Sequence, residues 1–343
     1  MRHRRQSLPS ASVTAVLFTC AGQRVDIVTA FARAGATTVA VDTNSLAPAL
    51  YHADRHALVP RVDDPEYITA LAELVHAHDI RLIVPLTDLD QQLLTERREE
   101  IAPAVALVPD GDVVEATRDK YRAHTLFEER GIDTPPTWLP EALPAALEYP
   151  VLVKARHGFG SRHIFRAESP AELDFFLART PVDSMVQAVC HGEEFSIDVF
   201  CDLEGTCLNA IPRTMIESKG GESIKGMTVK DWDLIEHGRA VAEALPLKGP
   251  ATIQCFREAD GTHRVTDVNA RFGGAFPLPH AAGSGYPELA LALARGERPE
   301  PHLGEFGEGL VMTRFFSHLT LVSTEDGSLV PFSEELPEPI AEA

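Results

Sequence analysis

The most informative stretch of the sequence is DVNARFGG, residues 267–274, which begins within the strand predicted for residues 263–268 and ends at two glycines. Side chains alternate between the two faces of a strand, so Asp267, Asn269 and Arg271 share one face. Two oxygen-bearing side chains on one strand suit Mg²⁺, which takes few protein ligands and keeps phosphate and water oxygens. Arg271 beside them suits a transferred phosphoryl group. An Asx-rich strand end with a Gly-Gly turn is the alternative, but it leaves the shared face unexplained.

The preceding strand extends this candidate metal site. Residues 251–258 and 263–268 read as an antiparallel pair joined by a turn at Asp260 and Gly261. Gln254 on the first strand of the pair lies where its side chain can reach the same metal ion. We therefore expect Gln254, Asp267 and Asn269 to bind Mg²⁺ or Mn²⁺.

A lysine upstream supplies positive charge for phosphate groups, which any phosphoryl-transfer site requires. Lys154 ends the apolar run PVLVK, and the loop that follows it contains Gly158, Gly160 and Ser161. A lysine at a strand end can contact an α- or β-phosphate while a glycine hairpin covers the γ-phosphate. A surface hairpin beside a lysine is the alternative interpretation.

The stretch QAVCHGEE, residues 187–194, joins an apolar strand end to a pair of acids. Backbone groups around Gln187 and Val189 can bind the edge of an adenine ring, and Glu194 can accept hydrogen bonds from ribose hydroxyls. A plain hairpin with exposed acids is the alternative. The stretch predicts the site for the nucleoside part of ATP.

The first third of the chain has a different pattern. Short apolar runs alternate with helical periodicity over residues 14–108, which favours a parallel, doubly wound sheet. Strand one is followed by Gly22 alone, without the G-x-G-x-x-G pattern of a dinucleotide site, so Asp42 at the end of strand two is interpreted as a loop acid. Residues 150–268 contain several hairpins and predict an α+β region.

In this order the motifs resemble the ATP-grasp superfamily and look most like carbamoyl-phosphate-synthase-large-subunit-like carboxylate–amine ligases. The resemblance extends over residues 13–300 and adds Lys120 as a second nucleotide-binding lysine. It implies a mixed α/β and α+β fold, with an N-terminal pre-ATP-grasp parallel-sheet domain followed by a two-subdomain ATP-grasp fold. The expected segments are a disordered N-terminus (1–12), the pre-ATP-grasp domain (13–115), a central and lid subdomain (116–190, lid about 135–190), a C-terminal subdomain (191–325) and a flexible acidic tail (326–343).

The resemblance also implies a reaction. A substrate carboxylate attacks the γ-phosphate of ATP to give an acylphosphate and ADP, and an amine then displaces phosphate to form an amide. The sequence departs from the family at Asp267, where glutamate is common, and at Gln187, where an acid is often found. The loop after Lys154 is also poor in glycine. A carbamoyl-phosphate-type phosphotransferase and a non-catalytic ATP-binding sensor remain alternatives.

Further residues are candidates for substrate binding. Residues 213–226 combine glycines with mixed charge and predict a mobile loop over the substrate, with Arg213 and Lys225 gripping a carboxylate. Asp88 follows the fourth strand, where it can bind an amine or cap a helix. His280 and Ser284 lie just beyond the glycine pair and complete the set of expected substrate contacts.

Composition limits the partners. The formal net charge of −20 disfavours nucleic acid and anionic membranes, which both need basic surface. The five cysteines are scattered without CxxC spacing, so we expect a reduced, cytoplasmic protein. The family resemblance, rather than composition, implies a small, amino-acid-like carboxylic acid and an amine as substrates, and it allows a homodimer because dimers are common among proteins of this resemblance.

Overall fold

The computed structural model describes residues 13–158, 163–219 and 222–332. Within these residues no helix is both long and apolar enough to cross a membrane. The predicted disordered N-terminus and most of the predicted acidic tail lie outside the described residues, as do Gly160 and Ser161 of the loop after Lys154.

The first domain is built on a five-stranded parallel sheet with strand order β3-β2-β1-β4-β5. Its strands are apolar on both faces because helices cover both: Val16 and Phe18 face one core, and Leu17 faces the other. The predicted parallel sheet is confirmed. Its elements are β1 (Ala15–Thr19), α1 (Val25–Arg33), β2 (Thr37–Asp42), β3 (Arg55–Leu58), α2 (Tyr67–Ala77), β4 (Ile80–Pro85), α3 (Gln91–Glu96) and β5 (Val105–Ala106).

Two helices connect this domain to a small antiparallel sheet. They are α4 (Gly111–Arg118) and α5 (Lys120–Glu129), and the Asp119 side chain caps α5 by accepting the N–H groups of Tyr121 and Arg122. The small sheet has the order β6-β9-β7-β8. Its elements are β6 (Thr137–Trp138), β7 (Val151–Ala155), β8 (Ile164–Ala167), α6 (Pro170–Arg179) and β9 (Ser184–Ala188).

The largest sheet is antiparallel, with the order β14-β13-β10-β11-β12-β15. Its elements and those beside it are β10 (Glu193–Cys201), β11 (Cys207–Lys219), β12 (Glu222–Thr228), α7 (Trp232–Ala244), β13 (Gly249–Arg257), β14 (His263–Asn269), α8 (Pro277–Ala281), α9 (Tyr286–Ala294) and β15 (Val311–Thr313). A separate hairpin follows, formed by β16 (Leu321–Ser323) and β17 (Leu329–Pro331).

The two faces of the large sheet differ in chemistry. Phe195, Ile197 and Val199 are buried in a core that also contains residues of α7, and α7 approaches closely because a Cβ at Gly238 would lie only 2.6 Å from Ile197. Of the alternate residues of β10, Glu194, Ser196 and Asp198 are polar and lie on the other face. That face holds the candidate site.

One sequence expectation about this sheet is wrong. Residues 213–226 do not form a loop: apart from 220–221, which lie outside the described residues, they belong to the paired strands β11 and β12. The segment carries charges of both signs, which suggested a loop. In the structure, Lys225 on β12 pairs with Glu217 on β11, with Nζ 2.5 Å from Oε2.

Candidate functional site

A row of polar residues crosses the large sheet on the face opposite α7. Asp267 is paired with Gln254, Gln254 with Ser196, and Ser196 with Arg213, so the row runs over β14, β13, β10 and β11. Residues directly opposite each other in an antiparallel sheet point to the same side. The row therefore forms one continuous polar surface with the metal-ligand candidates at one end.

Asp267 lies at the metal-ligand end of this surface. Its Oδ2 lies 2.9 Å from Lys120 Nζ and accepts a longer hydrogen bond, 3.4 Å, from Asn269 Nδ2. Burial alone would raise the pKa of Asp267, but the Lys120 ammonium outweighs burial and holds that pKa below its usual value. Asp267 is thus an ionised carboxylate between a lysine and an asparagine.

Lys154 approaches Asp267 from the small sheet. Lys154 Nζ donates to Gln187 Oε1 at 2.6 Å, and Gln187 Nε2 in turn donates to Thr137 Oγ1 at 2.9 Å. Burial, followed by the charge of Lys120, lowers the pKa of Lys154 to about 8. Gln187 therefore holds the lysine with a neutral acceptor, a contact that differs from the adenine contact predicted for this stretch.

The neighbouring residues Asp119 and Arg156 were not singled out from the sequence as site residues. Arg156 Nε donates to Asp119 Oδ1 at 3.1 Å, and a second, shorter contact joins its η nitrogen to the other carboxylate oxygen. The Lys120 N–H also donates to the Arg156 carbonyl at 2.9 Å. Together these bonds fix the start of α5, and with it Lys120, against the strand end that carries Lys154.

Arg271 lies immediately beyond Asn269. It donates from Nη2 to Asn269 Oδ1 at 3.2 Å, and its Nε lies 3.2 Å from Asp88 Oδ1. Helix α3 begins at Gln91 without a side-chain cap. The Asp88 carboxylate therefore does not cap this helix, and it pairs with Arg271 instead. The structure brings Asp88 of the first domain to the predicted phosphoryl-transfer site.

The residues predicted to contact the nucleoside lie where the chain passes from β9 of the small sheet to β10 of the large sheet. Val189 and Glu194 are half-buried. Gly158, which was predicted in the loop over the γ-phosphate, has a φ of 127°, a conformation that favours glycine. Burial raises the pKa of Glu194, although the charges of Lys154 and Arg213 act against this rise. The predicted contacts of Val189 with adenine and of Glu194 with ribose stay predictions.

The remaining candidates have different surroundings. Arg213 is buried and donates from Nε to Asp198 Oδ2 at 2.7 Å, whereas the side chain of Lys225 is 43% exposed and pairs with Glu217. The His280 ring stacks on Phe276 with centroids 5.2 Å apart. Ser284 is fully buried. None of these contacts places them beside Asp267, and their predicted roles toward substrate stay predictions.

The side chains around Asp267 offer a small set of donor groups for Mg²⁺. Within the described residues, no group of three or more His, Cys, Asp or Glu side chains is arranged to hold a metal ion. The available set is one ionised carboxylate, Asp267, with the side-chain amides of Asn269 and Gln254. A single carboxylate with amide oxygens fits Mg²⁺ delivered with a nucleotide, because the phosphates and waters supply the remaining ligands.

Comparison with known families identifies two parts of the chain. Residues 16–108 match the family described as PylC-like, N-terminal domain. Residues 180–315 match the family described as ATP-grasp in the biosynthetic pathway with Ter operon. A search of curated proteins found no match. The match over residues 180–315 confirms the predicted ATP-grasp superfamily.

Several solved structures share the fold of this chain. Biotin carboxylase from Campylobacter jejuni, a β,γ-ATP complex, superposes with a TM-score of 0.70 at 15% identity, covering 88% of this chain and 74% of that one. N5-carboxyaminoimidazole synthetase from Staphylococcus aureus, complexed with ADP, gives 0.70 at 15% identity, covering 86% and 80%. L-amino acid ligase from Bacillus licheniformis gives 0.65 at 18% identity, covering 82% and 74%. The predicted fold class is confirmed.

Proposed function

We propose that this ATP-grasp protein is an ATP-dependent ligase that activates a small carboxylic acid and joins it to an amine. The observation that carries the proposal is the convergence of Lys120, Lys154, Asp267, Asn269 and Arg271 from three different elements onto one polar surface. Two lysines, one carboxylate, one amide and one guanidinium are the groups that phosphoryl transfer from ATP requires. The similar structures include, by their names, a ligase and a synthetase, which supports the same class.

In the proposed first step, a carboxylate oxygen of the acid attacks the γ-phosphorus of ATP. The bond between that phosphorus and the β–γ bridging oxygen breaks, and ADP leaves with the electron pair. Positioning and charge neutralisation contribute most of the rate in such transfers. Lys154 and Lys120 bind the phosphates, and Arg271 stabilises the transferring phosphoryl group and then the acylphosphate.

In the proposed second step, the amine nitrogen attacks the carbonyl carbon of the acylphosphate. The carbon–oxygen bond to phosphate breaks, phosphate leaves with the electron pair, and the nitrogen loses a proton to solvent. Arg271 is suited to this step as well, because its guanidinium can bind the departing phosphate in a fixed orientation. The products are the amide, ADP and phosphate.

Mg²⁺, when bound by Asp267 and Asn269 with Gln254 beside them, supplies positive charge to the β- and γ-phosphate oxygens. Lys120 ion-pairs with Asp267 in the structure. On nucleotide binding we expect Lys120 to turn toward the phosphates, because a phosphate carries more negative charge than a single carboxylate. Asp267 is then free to act as a ligand.

The proposal is tested by measuring ADP and phosphate release from Mg-ATP with pools of amino acids and small carboxylic acids. Release that needs both an acid and an amine, and that yields an equal amount of amide, supports a ligase. Release with an acid alone, accompanied by a stable acylphosphate, would instead indicate a phosphotransferase. Tight ATP binding without release from any pool would indicate a sensor.

The lowered pKa of Lys154 predicts that nucleotide affinity falls at alkaline pH. The ammonium form, which binds phosphate, predominates below a pKa of about 8 and is lost above it. Between pH 7 and 9 the dissociation constant of Mg-ADP should therefore rise about tenfold, measured by isothermal titration calorimetry. Lys154→Met should bind more weakly and lose this pH dependence, whereas Lys248→Met should keep it. A wild-type affinity that stays flat over this range would contradict the assignment.

A further inference from the structure

Three side chains of the first domain contact one short segment of the ATP-grasp domain, residues 270–273. Arg24 donates from Nη1 to the Phe272 carbonyl at 3.1 Å and from Nη2 to the Gly273 carbonyl at 2.9 Å. Gln91 donates from Nε2 to the Ala270 carbonyl at 2.7 Å. Together with the Asp88–Arg271 ion pair, these bonds engage all four residues of the segment.

Arg24 is itself fixed in place. Asp26 accepts two hydrogen bonds from it, one from Nε and one from Nη2, each 3.2 Å long. Arg271 donates to the same Phe272 carbonyl at 3.2 Å. Two guanidinium groups thus share one acceptor, and each has its own aspartate, Asp26 or Asp88, to offset their repulsion.

The other side of the segment packs tightly against a buried polar network. A Cβ on Gly273 would overlap Thr252 Oγ1 and crowd Asp198 Oδ1. Asp198 is held by Thr252 and by Arg213, with oxygen-to-donor distances of 2.7 Å in both cases. Residues 270–273 therefore lie between this rigid network and the side chains from the first domain.

We propose that Arg24 and Gln91 are positioning residues, which fix the backbone of residues 270–273 and thereby hold the Arg271 guanidinium over the phosphoryl-transfer site. The role of Arg271 in phosphoryl transfer rests on the proposed function, whereas the fixing of residues 270–273 by Arg24 and Gln91 does not. The first domain thus acts on the chemistry through its hydrogen bonds to three backbone carbonyls of residues 270–273. Loss of one bond loosens the segment, and a displacement of about 1 Å can cost about a hundredfold in rate.

A different contact between the same parts of the chain supplies the matched control. Lys248, which precedes β13, places its Nζ 2.8 Å from Asp110 Oδ1 at the end of the first domain. That ion pair joins the domains but contacts no residue of 270–273. Lys248→Met therefore removes an interdomain bond without loosening the segment.

The test compares Arg24→Met, Gln91→Met and Lys248→Met in the full chain, with hydrogen–deuterium exchange of a peptide covering residues 269–276 as the first measurement. Two amides in this peptide report on the segment, since Arg271 N–H donates to the Asn269 carbonyl and Phe276 N–H to the Gly273 carbonyl. We expect exchange there to be at least about fivefold faster in Arg24→Met and Gln91→Met, and unchanged in Lys248→Met. Equal exchange in all three variants would overturn the proposal.

The second measurement separates positioning from general destabilisation. For the acid and amine found by the ADP-release screen, kcat in Arg24→Met should fall about 30- to 100-fold while KM for ATP stays within about threefold, since both lysines remain in place. Arg24→Lys, which can still donate to one carbonyl, should recover part of kcat. A parallel loss of kcat in Lys248→Met, or a change confined to KM for ATP, would overturn the proposal. The exchange measurement needs no substrate, so its outcome is independent of whether the ligase activity is found.

Discussion

Arg271→Met is expected to lower the rate of amide formation about a thousandfold while leaving Mg-ADP affinity within about threefold of wild type. Removing an arginine that stabilises a transferring phosphoryl group typically costs three to five orders of magnitude. In the proposed mechanism the nucleotide is bound by Lys120 and Lys154, which the substitution leaves intact. Steady-state rates and calorimetric titration with Mg-ADP measure the two quantities.

The control for this substitution is Arg61→Met. Arg61 is 79% exposed and pairs with Asp63 on the surface of the first domain, so its loss should change neither rate nor affinity measurably. A fall of less than tenfold in Arg271→Met, with the protein folded, would remove Arg271 from the transfer step. An equal loss of Mg-ADP affinity would instead place Arg271 at the nucleotide.

Asp267→Asn is expected to lower the rate at saturating Mg-ATP at least about a hundredfold. The substitution removes the one carboxylate of the proposed Mg²⁺ ligand set, and the charge supplied by such an ion stabilises the transition state by several kcal/mol. It also removes a negative charge beside the phosphates. Affinity for ADP without Mg²⁺ should therefore stay equal or rise, while the gain in affinity on adding Mg²⁺ should disappear.

Asp260→Asn is the matched control because Asp260 lies in the turn of the same β13–β14 hairpin, where its carboxylate accepts the Thr262 N–H at 2.9 Å. It should keep both the rate and the Mg²⁺ dependence. Unchanged Mg²⁺ dependence in Asp267→Asn would contradict the ligand assignment. A weaker Mg-free ADP complex would show that Asp267 acts by positioning Lys120.

The placement of Asp267, Asn269 and Gln254 could be predicted from the sequence because it depends on local periodicity. Asp267 and Asn269 lie two residues apart on one strand, so their common face follows from strand geometry. Gln254 could be placed opposite them because a hairpin turn fixes the register of its two strands. The structure pairs Gln254 with Asp267 directly.

Contacts between distant elements could not be derived in the same way. Lys120 and Asp267 are separated by 147 positions, and the sequence placed Lys120 in the site only through the family resemblance. Arg24 binds backbone carbonyls, which leave no pattern of residue types to recognise. Such contacts depend on how the domains pack, and periodicity within one element does not contain that information.

The pairing of charged side chains is the other feature that the sequence did not show. Glycines and charges at 213–226 suggested a mobile loop, but opposite charges on neighbouring strands can pair and leave the sheet intact. Arg213 was expected to grip a substrate carboxylate, and the structure adds a buried pair with Asp198 that the sequence did not indicate. A buried guanidinium requires a buried acid, and the sequence does not show which of its many acids is in reach.

The most direct test of the central claim follows the oxygen atoms of the acid. If the carboxylate attacks the γ-phosphorus and the amine then displaces phosphate, one carboxylate oxygen leaves in that phosphate. With the acid labelled with ¹⁸O in its carboxyl group, and the amine found by the release screen, mass spectrometry should find one ¹⁸O in each phosphate released. Phosphate without label, formed together with the amide, would contradict carboxylate activation by ATP in this protein.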